Sequence, residues 1–161
     1  MLDFHDLYEA YATDVYRFGY WLSGESAEAE DITSETFIRA WVRLDTIRTE
    51  TLRAYLFTIA RNVYLEGRRK QARLTRLDQA HPDPNPGPEQ LAAERAELER
   101  VRRILQTLPE ADRAAFIMRV EYEMPYAEIA RVLQLSEGAI KVKVHRARTK
   151  MLAARTEKEV L

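Results

Sequence analysis

Apolar residues recur along this chain at intervals of three and four, and almost nowhere at alternate positions, which is the periodicity of amphipathic helices rather than strands. Leu7, Tyr11, Val15, Phe18 and Leu22 form a first stripe and predict a helix ending near Ser23-Gly24. A second helix is expected over about 26–44, with Ile32, Thr36, Phe37, Ala40, Trp41 and Leu44 inward. Its acidic opening, Glu28, Glu30 and Asp31, suits the positive end of a helix dipole. A connector at 45–51 precedes a third helix over 52–73, with Leu52, Leu56, Ile59, Ala60 and Val63 inward. Further on, 89–106 reads as a charged helix with Leu91, Leu98, Val101 and Leu105 inward. Another helix spans about 110–121, preceded or started by Pro109, with Phe116, Ile117 and Val120 on its core face.

Residues 125–151 carry the sharpest pattern. Tyr126, Ile129, Ala130 and Leu133 share one face of a short helix; Gln134 and Leu135 fit a tight turn; Ser136 is placed to cap the next helix. In that next helix Ile140, Val144, Ala147 and Met151 make the buried stripe, so Val142, His145, Arg146 and Thr149 fall on the far side. Lys141 and Arg148 flank them on one edge, Lys143 and Lys150 on the other. Cations for phosphates beside shorter or planar polar groups for base edges are what a helix in the DNA major groove requires. The pattern is that of a helix-turn-helix, with DNA binding favoured over a merely solvated basic face.

Four of the six prolines fall within His81-Pro82-Asp83-Pro84-Asn85-Pro86-Gly87-Pro88, a stretch that cannot be helical. It divides the chain into an N-terminal helical domain (1–76), a proline-rich linker (77–88) and a C-terminal domain (89–161); the alternative is a loop within one domain. The expected fold is therefore all-α: two small helical domains joined by a proline-rich linker, the second a four-helix helix-turn-helix domain. Glycine is scarce, at five residues, which agrees.

The net charge of −1 conceals strong segregation. Residues 1–50 carry −7, residues 51–76 carry +6 and residues 137–161 carry +4. Two separated basic blocks point to two nucleic-acid contacts. The absence of cysteine excludes disulfides, thiolate metal sites and cysteine nucleophiles. His5, His81 and His145 are dispersed, and neither a glycine-rich phosphate loop nor a nucleophile constellation occurs, so an enzyme is not expected and no cofactor is. No apolar run approaches the roughly 18 residues of a membrane span, and the acidic N-terminus is unlike a signal peptide; a cytoplasmic location with no membrane insertion is expected.

Taken in order, several of these segments resemble the small two-domain sigma factors of the extracytoplasmic-function group, within the sigma-70 family. The N-terminal pieces are Ala29-Glu30-Asp31-Ile32-Thr33-Ser34-Glu35-Thr36-Phe37-Ile38-Arg39-Ala40-Trp41 and Leu52-Arg53-Ala54-Tyr55-Leu56-Phe57-Thr58-Ile59-Ala60-Arg61-Asn62. The C-terminal pieces are Leu108-Pro109-Glu110, Tyr126-Ala127-Glu128-Ile129-Ala130, Ser136-Glu137-Gly138-Ala139-Ile140-Lys141 and His145-Arg146-Ala147-Arg148.

The resemblance implies a protein that binds core RNA polymerase and directs it to promoters. It assigns the minus-ten element to the N-terminal domain, with Arg48, Arg53, Tyr55, Arg61, Asn62, Arg68 and Arg69 as candidate contacts, joined by Lys70 and Arg73 along the backbone. It assigns the minus-thirty-five element to Ser136, Lys141, Val142, Lys143, His145, Arg146 and Arg148. The acidic second helix would meet the clamp helices of the polymerase's largest subunit, with Asp31, Glu35 and Arg39 at the contact; the flap is the other polymerase element implied. The 45–51 connector matches the loop that captures an extruded base, although it lacks the aromatic residue some relatives have. Val142 and Lys143 stand where relatives commonly have serine and arginine. Relatives are often controlled by an anti-sigma factor. Among the aromatic residues of this half, Trp41 reads as core, and Tyr55 fits either core or a stacking role. The competing readings are a stand-alone DNA-binding regulator, in which the N-terminal signatures have no role, and a protein-binding helical adaptor.

Overall fold

The computed structural model describes residues 3–44, 52–75 and 93–160, so the 45–51 connector, Arg48 and the 77–88 linker lie outside the described residues. All regular structure among the described residues is helical: α1 (Phe4–Ser23), α2 (Ser26–Val42), α3 (Leu52–Thr75), α4 (Ala93–Gln106), α5 (Glu110–Val120), α6 (Tyr126–Leu133) and α7 (Glu137–Val160).

Local chemistry sets most of the ends. Asp3 caps α1 by accepting from the His5 amide at 3.3 Å. Gly24 terminates α1 in the left-handed region, φ 81°, and its amide donates to the Tyr20 carbonyl at 2.7 Å. Pro109 and Pro125 occupy the N-cap positions of α5 and α6, where a missing amide hydrogen costs nothing.

α1, α2 and α3 pack on one another through Leu7, Val15, Phe18 and Leu22, Ile32 and Phe37, and Leu56, Phe57 and Ala60. This apolar cluster does not stop at the N-terminal half. It continues without a break into Ala115, Met118, Met124, Ile129, Val132, Ile140 and Val144 of α5–α7. Phe18 stacks on Phe57 at 4.4 Å between centroids, and Phe57 meets the edge of Tyr122 at 4.8 Å. A smaller cluster, Leu105, Leu108 and Ala147, takes Trp21 from α1 into its margin.

Polar groups close the same seam. α1 has no basic residue in its last turn, and its terminal carbonyls are satisfied from the other half of the chain. Gln106 reaches the carbonyls of Trp21 and Leu22, Arg102 that of Gly24 at 3.2 Å, and Arg113 that of Leu22 at 2.6 Å. The approach is tight: a Cβ on Gly24 would lie 3.0 Å from the Gln106 amide group. Arg113 is buried and meets no carboxylate among the described residues; its guanidinium instead donates to the Leu22, Leu105 and Leu108 carbonyls and the Tyr64 hydroxyl.

Three residues expected inside lie outside. Trp41 is 63% exposed, because Phe37 and Ala40 already fill the α2 contact and the indole rests on the rim, 5.7 Å from the Phe4 ring. Leu98 is exposed because the packed surface of α4 begins one turn later, at Val101 and Leu105. Val120 is exposed in the last turn of α5, whose buried residues stop at Met118.

Candidate nucleic-acid interface

The helix-turn-helix forms as its spacing predicts. α6 ends with Gln134 in the left-handed region, φ 56°, and the Leu135 amide returns to the Ala130 carbonyl at 3.0 Å, which turns the chain within three residues. Ser136 Oγ then accepts from the Ala139 amide at 3.1 Å and caps α7. Ile140, Val144 and Ala147 are buried against α5 and α6, which fixes the rotation of α7 about its axis.

That rotation exposes Lys141, Val142, His145, Arg146 and Arg148. The Lys141 ammonium lies 5.7 Å from the Tyr126 ring centroid, and the Arg119 guanidinium covers the same ring at 4.3 Å. Lys143 differs from the rest. Its side chain is only 20% exposed and turns inward, Nζ 3.4 Å from Asp112 Oδ1. Arg146 Nη2 meets the same oxygen at 3.3 Å while most of its side chain stays in solvent.

The candidate minus-ten residues divide between two faces of α3. Tyr55 and Asn62 open, together with Arg39, into a cleft of about 420 Å³ between α2 and α3. Arg69 is exposed further along α3. Arg53 and Arg61 point the other way, into the seam with the C-terminal helices. Arg61 grips Glu110 of α5 through two hydrogen bonds of 2.7 Å, with both side chains mostly buried. Arg53 lies 3.4 Å from Asp14 and over the Tyr122 ring. Tyr122 itself donates to the Asp14 carbonyl at 2.8 Å, and burial pushes its phenol well above the usual tyrosine range. Arg68 pairs with Glu28 at 2.6 Å; burial nevertheless raises the Glu28 carboxyl, with Arg68 opposing the shift.

On α2, Asp31 and Glu35 share an outward face with Ile38 and Val42, which are 56% and 80% exposed. Arg39 is held between Glu35 and Glu66 of α3, at 3.0 and 2.7 Å, and its hydrogen bond keeps the Glu66 carboxyl below its ordinary value. Sequence reading passed over Ile38 and Val42 and took Trp41 as core. The signal was present, since all three fall within one turn beside the acids. It also passed over Glu110 and Asp112 as partners of site residues; the only sequence hint was a charged pair, Asp112-Arg113, set among alanines.

The geometry defines a helix-turn-helix DNA-contacting protein with a second basic helix and an acidic-apolar face on α2, whose Ile38 and Val42 border the same cleft as Tyr55 and Asn62. Comparison with known proteins supplies the family. The pattern described as Sigma-70 region 2 matches residues 7–74, and Sigma-70, region 4 matches residues 98–151. The chain is 34% identical over 148 residues to the ECF RNA polymerase sigma factor SigL of Mycobacterium tuberculosis, covering 88% of this chain and 82% of SigL. It is 30% identical to SigE of Mycolicibacterium smegmatis over 94% of its own length but spans 61% of that protein. Its fold is similar to that of the sigma factor RpoE in complex with the anti-sigma factor NepR from Bartonella quintana, at a TM-score of 0.79 and 24% identity over 96% of this chain and 97% of that one. It is also similar to CnrH in complex with the cytosolic domain of CnrY, at 0.71 and 25% over 96% and 88%. The chain belongs to the ECF RNA polymerase sigma factors.

Proposed function

We propose that this chain binds core RNA polymerase and confers promoter specificity on it, the upstream minus-thirty-five element being read by α7 and the minus-ten element by α3 with the 45–51 connector. The observation that carries this reading is the outward face of α7: Lys141, Val142, His145, Arg146 and Arg148 are presented together because Ile140, Val144 and Ala147 are buried beneath them. Domains 1–76 and 89–161 take these two roles, and residues 77–88 supply the span between them. The α2 face docks the polymerase clamp helices, with Ile38, Trp41 and Val42 giving apolar contact beside Asp31, Glu35 and Arg39. The catalytic step belongs to the polymerase.

Packed as described, the C-terminal half covers Arg61 through Glu110 and sets the Tyr122 ring against Arg53, so promoter engagement by Arg61 requires the halves to part. A protein that holds them together keeps the chain inactive. An anti-sigma factor is the partner we assign to that role, supported by membership of the ECF RNA polymerase sigma factors. No helix among the described residues is long and apolar enough to cross a membrane, and action in the cytoplasm, beside the polymerase, completes the reading.

The test is gel filtration of the purified chain with bacterial core RNA polymerase, without DNA. Co-elution is expected. Separation, with duplex DNA still bound by the chain alone, would leave a stand-alone regulator.

A further inference from the structure

Asp112 sits in the first turn of α5, with its side chain 5% exposed, and its Oδ1 meets two cations of α7, Lys143 and Arg146. A carboxylate buried to that degree is retained at a cost unless charged partners hold it, and here both are on the helix presented to DNA. The two partners fare differently. Lys143 is drawn off the groove-facing surface, whereas Arg146, with a side chain 58% exposed, rests only one end of its guanidinium on Asp112. The contact at Nη2 restrains the planar fork at one end, while more than half of the Arg146 side chain stays accessible.

We propose that Asp112 is a specificity-determining positioning residue: it buttresses Arg146 so that its free donors meet one base pair of the upstream promoter element in a fixed geometry, and it retires Lys143 from DNA contact. Guanine is the base this arrangement suits, because its O6 and N7 accept two parallel bonds from an arginine fork. The buttress lowers the entropy lost when Arg146 is immobilised on the base, which is how a supporting residue sharpens a contact it never makes. Asp112 also subtracts charge beneath the helix, restraining sequence-independent attraction to phosphates. The inference rests on the promoter-reading role proposed above for α7.

The two ideas separate in one experiment. Holoenzyme reconstituted from bacterial core polymerase and the full chain selects from duplexes randomised across the promoter span. The wild type is expected to enrich a motif with guanine at one upstream position. Asp112→Asn is expected to lose that preference by about tenfold, with the rest of the motif intact, while its sequence-independent DNA affinity rises and grows steeper with salt. A merely structural role would weaken every position together. Arg146→Lys, a change on the surface, is expected to lose the same position. An unchanged motif with Asp112→Asn overturns the buttress, and no motif with the wild type overturns the promoter reading and the buttress together. Where Asp112→Asn fails to fold, nitrogen-15 spectra of the wild-type chain decide: separate, slowly exchanging Nη signals from Arg146 support a held guanidinium, and one averaged signal refutes it.

Discussion

Glutamine at position 110 offers the sharpest test of the closed seam. Glu110 and Arg61 join α5 to α3 across 49 residues of sequence, through two hydrogen bonds of 2.7 Å between side chains only 22% and 17% exposed. Charge-assisted hydrogen bonds of this kind contribute about 1.5–3 kcal/mol. Glu110→Gln keeps the shape and one acceptor but removes the counter-charge of a largely buried guanidinium, so a loss of about 2 kcal/mol is expected. That corresponds to roughly a thirtyfold shift of the closed–open balance toward open. The apolar cluster and the Arg113 bonds remain, so the variant still folds. The chain has no cysteine, so cysteines introduced at the exposed positions Arg69 and Lys150 are the only labelling sites for energy transfer between the halves. The expected result is separation of the halves at lower urea, with the helical signal intact. Single-stranded minus-ten DNA should also bind more tightly, by up to the same factor, because Arg61 no longer has to leave a carboxylate. Glu110→Lys should go further by direct repulsion. If Glu110→Gln leaves both the distance distribution and the DNA affinity as in the wild type, the pair does not hold the seam and the argument from its geometry is wrong.

Arg113→Met removes four hydrogen bonds, three to buried carbonyls and one to the Tyr64 hydroxyl; a stability loss of about 2–4 kcal/mol is expected, and an unaltered thermal midpoint would contradict the hub assigned to Arg113. Ser136→Ala should cost about 1 kcal/mol through loss of the α7 cap, read from the urea midpoint, with no change if the cap contributes nothing. Val42→Asp should leave stability within about 0.5 kcal/mol, since the residue is 80% exposed, yet weaken core polymerase binding by titration; equal affinity would remove this face of α2 from the interface. Lys141→Ala should reduce the salt slope of promoter binding by about one and spare polymerase binding; an unchanged slope would mean that Lys141 reaches no phosphate.

A broad division runs through these predictions. The seven helices, the turn at Gln134, the capping serine and the outward set on α7 other than Lys143 were legible in the sequence, because helical periodicity and capping act over three or four residues. The segregation of charge was legible too. It identified α3 and α7 as basic and the chain before residue 50 as acidic. Only the tertiary structure decided which cations are available. Arg61 is taken by Glu110 at a separation of 49 residues, Lys143 by Asp112 at 31 and Arg39 by Glu66 at 27. Nothing local marks those pairs, since an arginine on an amphipathic helix reads the same whether it meets solvent, phosphate or a distant carboxylate. Trp41 shows the converse: its spacing matched the core, but the core was already full at Phe37 and Ala40, and the indole was left outside. Local spacing can place a side chain on a face. What occupies the space beyond that face is settled by the packing of helices far apart in sequence, and here that packing determines which residues remain free to meet DNA or polymerase.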